Sequence, residues 1–275
     1  MKTRLMLVVL FGSSTFIFSQ KKPKIKGNKM LIEVHKTIDE KFDTIEIDDG
    51  LEVNLYQGNQ NSYILKTDYN LVDVIKFVVY ENTLKIYTSS KIVSKKKLQL
   101  NLTVNKLEHI ILKNGVKLKG KERLTSDKLY VSGYSSCRFD LNVKADDVTV
   151  TLHRNSGGKI NIKSDNTTIV MNDRTDLKGD ISTGKLRVTM NKSAQLNLDG
   201  ESDLAIYNLK DAAELYAKNM KATTADLYTT NSSDVHLHVK KNIELYAEGR
   251  SKIYIYGDPK IEIKGLTDKS RIIKK

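Results

Sequence analysis

The chain has 275 residues, one cysteine, two prolines, no tryptophan and a formal net charge of +13. A lone cysteine excludes an internal disulfide framework, and a chain of this length can bury a core without one. Plentiful Val, Ile, Thr and Tyr with so few prolines point to an all-β fold.

At the N-terminus, Lys2 and Arg4 precede an apolar stretch, Leu5 to Phe11, and a second one, Phe16 to Phe18, ending at Ser19-Gln20. A basic start, a short apolar segment and a small residue before the cut predict a secretory signal peptide over 1–19. The segment holds no cysteine for a lipid anchor, and no later run approaches the length of a membrane helix. An exported protein is therefore expected, in the periplasm, on the outer-membrane surface or outside the cell. Removal of Lys2 and Arg4 lowers the net charge to +11, which favours an acidic glycan, a lipid headgroup or another envelope component as partner over nucleic acid. The lysines cluster only at Lys21–Lys29 and Lys95–Lys97 and are otherwise dispersed, the pattern of a solvated face.

Residues 20–41 carry Lys21, Lys22, Lys24, Lys26 and Lys29 around Pro23 and Gly27, and this composition predicts a basic tether. From Phe42 the pattern turns to alternation (Ile45 and Ile47; Leu51, Val53 and Leu55; Leu84 and Ile86; Leu98 to Val104), which predicts half-buried strands over 42–106. Within that part, Asn70 to Tyr80 is a continuous apolar run that fits either a short helix or a buried strand.

From Leu107 to Lys275 one phrase recurs: a strand, a cluster of small or polar residues, then an apolar-x-apolar step. The clusters are Asn114-Gly115-Val116-Lys117, Ser135-Ser136-Cys137-Arg138, Ser156-Gly157-Gly158-Lys159, Lys192-Ser193-Ala194-Gln195, Asp211-Ala212-Ala213-Glu214, Asn231-Ser232-Ser233-Asp234 and Gly249-Arg250-Ser251-Lys252, with Arg174-Thr175-Asp176 a degenerate copy. The apolar residues that follow are Leu118, Phe139, Ile160, Leu177, Leu196, Leu215, Val235 and Ile253, spaced 21, 21, 17, 19, 19, 20 and 18 residues apart. A period near nineteen predicts a β-helix or β-solenoid, because units this short bury their apolar faces only by stacking. One more period reaches Ile272, a ninth copy expected to serve as a cap. The open end of such a stack would permit self-association.

Together with Phe42-Asp43-Thr44-Ile45-Glu46-Ile47, Gly50-Leu51-Glu52-Val53-Asn54-Leu55, Thr83-Leu84-Lys85-Ile86 and Tyr256-Gly257-Asp258-Pro259, this repeat resembles the putative auto-transporter adhesin family called head-GIN. The resemblance covers Phe42 to Lys275. It implies an exported solenoid of Bacteroidetes-type bacteria, with an adhesin-like or scaffolding role and no turnover. The family's Gly-Ser-Gly-like corners are here often Ser-Ser or Ala-Ala.

Candidate chemistry is sparse. The carboxylate pairs Asp48-Asp49 and Asp146-Asp147 are read as strand-end turns, since adjacent strand residues point to opposite faces. Cys137 is read as a small buried residue. His236 and His238 share one face of a strand whose inward positions are Val235, Leu237 and Val239, and no third ligand lies beside them, so no metal or other cofactor is expected. Counting by repeat stacks Tyr216, His236 and Tyr254 in one outward column, with Lys218, His238 and Tyr256 beside it. That column is the candidate ligand-binding surface, for a sugar or a protein partner. The leading reading is a non-catalytic envelope solenoid. A carbohydrate-binding module would require the column's rings to be coplanar and solvent-facing, and a polysaccharide lyase or hydrolase would require carboxylates and a base converging in one groove.

Overall fold

The computed structural model describes residues 22–275; the predicted signal peptide lies outside the described residues. Seven long strands, Lys117–Gly133, Arg138–Leu152, Gly157–Met171, Asp176–Met190, Gln195–Leu209, Glu214–Thr229 and Asp234–Ala247, each pair in parallel with the next. Each bends near its middle, where pairing lapses around Asp146, Asp165, Gly184 and Asp203. One bent strand and one short corner make one coil, and alternation sends every second side chain into a single continuous core. The all-β solenoid expected from the sequence is the fold observed.

The phase of one copy needed correction. The ladder that contains Leu118 and Phe139 continues through Gly158, not Ile160, and then through Leu177, Leu196, Leu215, Val235, Ile253 and Ile272. Ile160 belongs to the next ladder, between Leu141 and Gly179. A glycine stands in the apolar slot because a Cβ there would lie 2.2 Å from the Phe139 carbonyl oxygen.

The corners explain why the period holds. Their paired residues Ser135-Ser136, Arg154-Asn155, Asp173-Arg174, Lys192-Ser193 and Asp211-Ala212 all adopt positive φ, a conformation disfavoured for residues with a Cβ. Neighbouring coils hold them there through a ladder of corner hydrogen bonds. The amides of Ser136, Asn155, Arg174 and Ser193 donate to the carbonyls of Arg154, Asp173, Lys192 and Asp211 in the next coil. The residue after each pair points inward and is small: Cys137, Ser156, Thr175, Ala194 and Ala213 are buried. Cys137 is thus a core residue, and burial raises its thiol pKa.

The N-terminal part closes one end of the stack. Strands Thr44–Ile47 and Glu52–Gln57 form a first coil, in parallel with His109–Leu112 and with the start of Lys117–Gly133. Beyond them, Thr83–Thr88 and Leu98–Val104 extend the two sheets in parallel. The strands Ile75–Tyr80, Ser62–Asp68 and Leu31–Thr37 then continue in antiparallel pairing. Residues Asn70 to Tyr80 hold both of the forms left open, a 3-10 helix over Tyr69–Val74 followed by a strand.

The segment read as a tether is not loose over its described residues. Lys24–Lys26 pairs in parallel with Lys91–Ser94, and Leu31–Thr37 pairs with Ser62–Asp68. Backbone pairing needs no apolar side chains, so composition did not reveal it. Asp68, fully buried, accepts hydrogen bonds from the amides of Lys29 (3.1 Å), Lys96 (3.1 Å) and Lys97 (3.3 Å), tying both lysine-rich loops to the solenoid. Burial opposes its ionisation, but these backbone donors and the Lys96 charge together outweigh burial and hold the carboxyl below its usual range. A depressed folded pKa stabilises above the unfolded value, about 4, and the effect fades as pH falls through the lower folded value. Asp68→Asn is expected to abolish exchange protection of the Lys29, Lys96 and Lys97 amides at neutral pH while the strands from Arg138 onward keep theirs; unchanged protection would refute the clamp.

At the other end, Lys252–Tyr256 and Lys260–Leu266 pair with Asp234–Ala247, and Arg271–Lys274 begins the ninth copy. It pairs with Lys252–Tyr256, where Ile253 and Ile255 are buried, and not with Lys260–Leu266, where Ile263 is 53% and Leu266 44% exposed; the ninth copy lies over one of the last two strands and leaves the other as an edge. Among the described residues, no helix is long and apolar enough to cross a membrane.

Candidate binding surface

The parallel register places Tyr216 beside His236 and His236 beside Tyr254. Their ring centroids lie 5.4 Å apart with a 31° tilt and 4.4 Å apart with a 17° tilt. These spacings follow from the distance between coils, about 4.8 Å, which brings outward rings at equivalent positions into contact. Val235, Leu237 and Val239 are buried beneath, so the column rests on the core.

Hydrogen bonds fix its polar edges. The His236 Nδ1 lies 3.3 Å from the Tyr256 hydroxyl, and its Nε2 lies 3.3 Å from an Asp234 carboxylate oxygen. The Tyr216 hydroxyl donates to Glu214 at 3.1 Å. Burial, the bond to Glu214 and the charges of Glu214 and Asp234 raise the pKa of the Tyr216 phenol, so it remains a neutral donor. At the far end, the Lys275 ammonium sits 5.6 Å from the Tyr254 ring centroid.

Two features depart from the arrangement expected from sequence. Lys218 does not stand in the ladder beside His238. A bulge between Ala217 and Lys221 puts Lys221 opposite His238, and Lys218 contributes only its carbonyl, 3.2 Å from His238 Nδ1. The rings also form a pile, not a coplanar platform. Tyr216 is 40% exposed, whereas His236, Tyr254, Tyr256 and His238 are half-buried. The piled faces cover one another and leave edges, hydroxyls and ring nitrogens for a partner.

Sequence reasoning missed three further stacks between successive coils. His109 lies over Tyr130 at 4.7 Å, Tyr134 over His153 at 5.3 Å and Tyr228 over Tyr246 at 5.0 Å. Each pair is one period apart, so the spacing that found the first column could have found these.

The paired carboxylates hold structure. Asp48 accepts from the Asn114 side chain at 2.8 Å, Asp49 pairs with Lys22, and Asp147 accepts from the Asn166 side chain at 3.0 Å. Asp146 and Asp147 lie inside a long strand at its bend, not at a strand end. There Asp127, Asp146 and Asp165, one per coil, line a groove of about 650 Å³ with Lys144 and Lys163. Among the described residues, no group of three or more His, Cys, Asp or Glu is placed to hold a metal ion.

The family described as "Putative auto-transporter adhesin, head GIN domain" matches residues 41–161 and 150–259. No curated protein matches the chain. Among solved structures, a putative adhesin from Parabacteroides merdae has a TM-score of 0.62 at 19% identity, covering 92% of this chain and 99% of that one. A putative lipid binding protein from Parabacteroides distasonis has a TM-score of 0.62 at 16% identity, with coverage of 92% and 99%. A putative adhesin from the same species has a TM-score of 0.61 at 15% identity, with coverage of 92% and 100%. At these identities the likeness is one of fold.

Proposed function

The chain belongs to the putative auto-transporter adhesin, head GIN domain family, and from that premise we propose that it is an exported, non-catalytic envelope protein that holds a partner on the outward faces of its solenoid. The observation that carries this reading is the parallel register, which repeats one outward position per coil and builds the column Tyr216–His236–Tyr254 with Tyr256 and His238 at its edge. A surface made this way is rigid before any partner arrives, which lowers the ordering cost of binding. Its piled rings favour recognition through edges and polar tips, from a protein segment or from the hydroxyls of an envelope glycan, over stacking on ring faces.

The test is a screen of the protein exported from its host, on immobilised envelope glycans and envelope proteins, at two salt concentrations. Saturable binding that survives the higher salt and falls about tenfold or more in the triple variant Tyr216→Ala, His236→Ala, Tyr254→Ala is the expected result. Binding that is equal in the variant would remove the column from the account.

A further inference from the structure

The two lysine clusters of the sequence lie some seventy residues apart, and the fold brings them together. Lys24–Lys26 runs in parallel beside Lys91–Ser94, with Lys24 directly opposite Lys91. Residues 83–107 contain six lysines and no acidic residue. Behind the paired strands lies a groove of about 870 Å³, with Lys22, Lys24, Lys91 and Lys95 on its walls and Leu51 and Leu98 among its apolar lining.

Two carboxylates, Asp49 and Glu52, also line this groove, and both are already paired. Asp49 pairs with Lys22. Glu52 pairs with Lys117 at 2.8 Å, and that hydrogen bond is the main reason its carboxyl is held below the usual range. Lys24, Lys91 and Lys95 have no ion-pair partner among the described residues and are exposed. Like charges set opposite each other across a strand pair are destabilising. The lobe nevertheless holds Lys24 and Lys91 side by side through backbone pairing, with the amides of Lys91 and Gly27 donating to the carbonyls of Pro23 and Ser94, while Asp68 bonds the backbone of Lys29, Lys96 and Lys97 in the flanking loops. The fold thus fixes the backbone on both sides of the groove while, among the described residues, Lys24, Lys91 and Lys95 stand outside any ion pair, Lys95 acting on Glu52 only as a more distant charge.

We propose that this groove is a binding site for an acidic polysaccharide, a chain carrying carboxylate or sulfate groups. Ammonium groups on the wall would pair with the anionic substituents, and the apolar lining would meet the sugar rings. The concave shape favours a single polymer chain over a flat anionic membrane, which would reach protruding lysines and not those lining a groove. The site is separate from the tyrosine–histidine column, so each can fail without the other.

The test titrates labelled polygalacturonate and dextran sulfate, with neutral dextran as control, into the purified chain. Saturable binding of at least one acidic polymer is expected, with a loss of about thirtyfold or more in the variant Lys24→Glu, Lys91→Glu, Lys95→Glu. An equal number of reversals elsewhere, Lys178→Glu, Lys240→Glu and Lys241→Glu, should leave most of the affinity intact. The single variant Lys24→Glu separates binding from folding, since it sets an acid opposite Lys91: the lobe should become no less stable to heat while binding weakens. Equal losses in the two triple variants would reduce the attraction to net charge and overturn the site. Binding to anionic phosphatidylglycerol vesicles in the absence of polymer binding would overturn the ligand class.

Discussion

Replacing Tyr207 with Ala is expected to lower the stability of the solenoid by about 3–5 kcal/mol, the range for deleting a large aromatic ring from a packed core. Tyr207 is 1% exposed and is the largest fully buried side chain among the described residues. Burial raises its phenol pKa, so it stays neutral at any ordinary pH. Its ladder is otherwise aliphatic, with Val188 on one side and Leu227 on the other. Room for the ring coincides with small neighbours: Ala194, Ala205, Ala213, Ala217, Ala222 and Ala225 are all buried in the same region of the core. In the ladder that contains Ala205 and Ala225, the preceding coil carries Leu186. Volume has been moved from one ladder to the next, as close packing requires. Urea denaturation of the wild type, Tyr207→Ala and Tyr207→Phe separates ring volume from hydroxyl. The phenylalanine variant should lose far less than the alanine variant, and equal losses would show that the ring is not what fills the core.

Gly200→Ala is the second large effect expected, at about 2–5 kcal/mol, combining backbone strain with overpacking. Gly200 has φ of +113°, and a Cβ built on it would lie 2.1 Å from the Ile181 carbonyl oxygen of the preceding coil. The conformation and the close approach act together. Relaxing φ would move the amide pairing between Asp176–Met190 and Gln195–Leu209, and keeping φ drives the methyl into backbone. Because each coil is held mainly by its neighbours, the damage should spread to adjacent coils before the far ends. Hydrogen exchange should therefore show lost protection around Ile181 and Met220 first. A thermal midpoint unchanged from wild type would contradict the assigned geometry.

The solenoid was legible because its information is local and repeated. Inward residues alternate, and each corner adds small or polar residues in a fixed place, so the period emerged from apolar spacing alone. The copy at Ile160 slipped by two residues for the same reason. An apolar pattern passes over Gly158, whereas the phase set by the corner residues, with Arg154-Asn155 preceding Ser156, keeps a step of 19. The neighbours of His236 were also legible, since one period in each direction lands on Tyr216 and Tyr254. The place of Lys218 was not, because a bulge in one coil adds residues that only the pairing register exposes. Least legible was the lysine lobe. Its strands pair through backbone groups, its clamp is one aspartate among many, and nothing in the spacing of Lys24 and Lys91 announces that they meet.

The central claim is that this solenoid binds without turning over what it binds. The direct measurement incubates the purified chain with isolated cell envelopes, follows the bound fraction against concentration, and sizes the envelope polymers before and after. The account predicts saturable retention with polymer lengths and end groups unchanged. Retention that never saturates, or the appearance of shortened polymers with new ends, would contradict it.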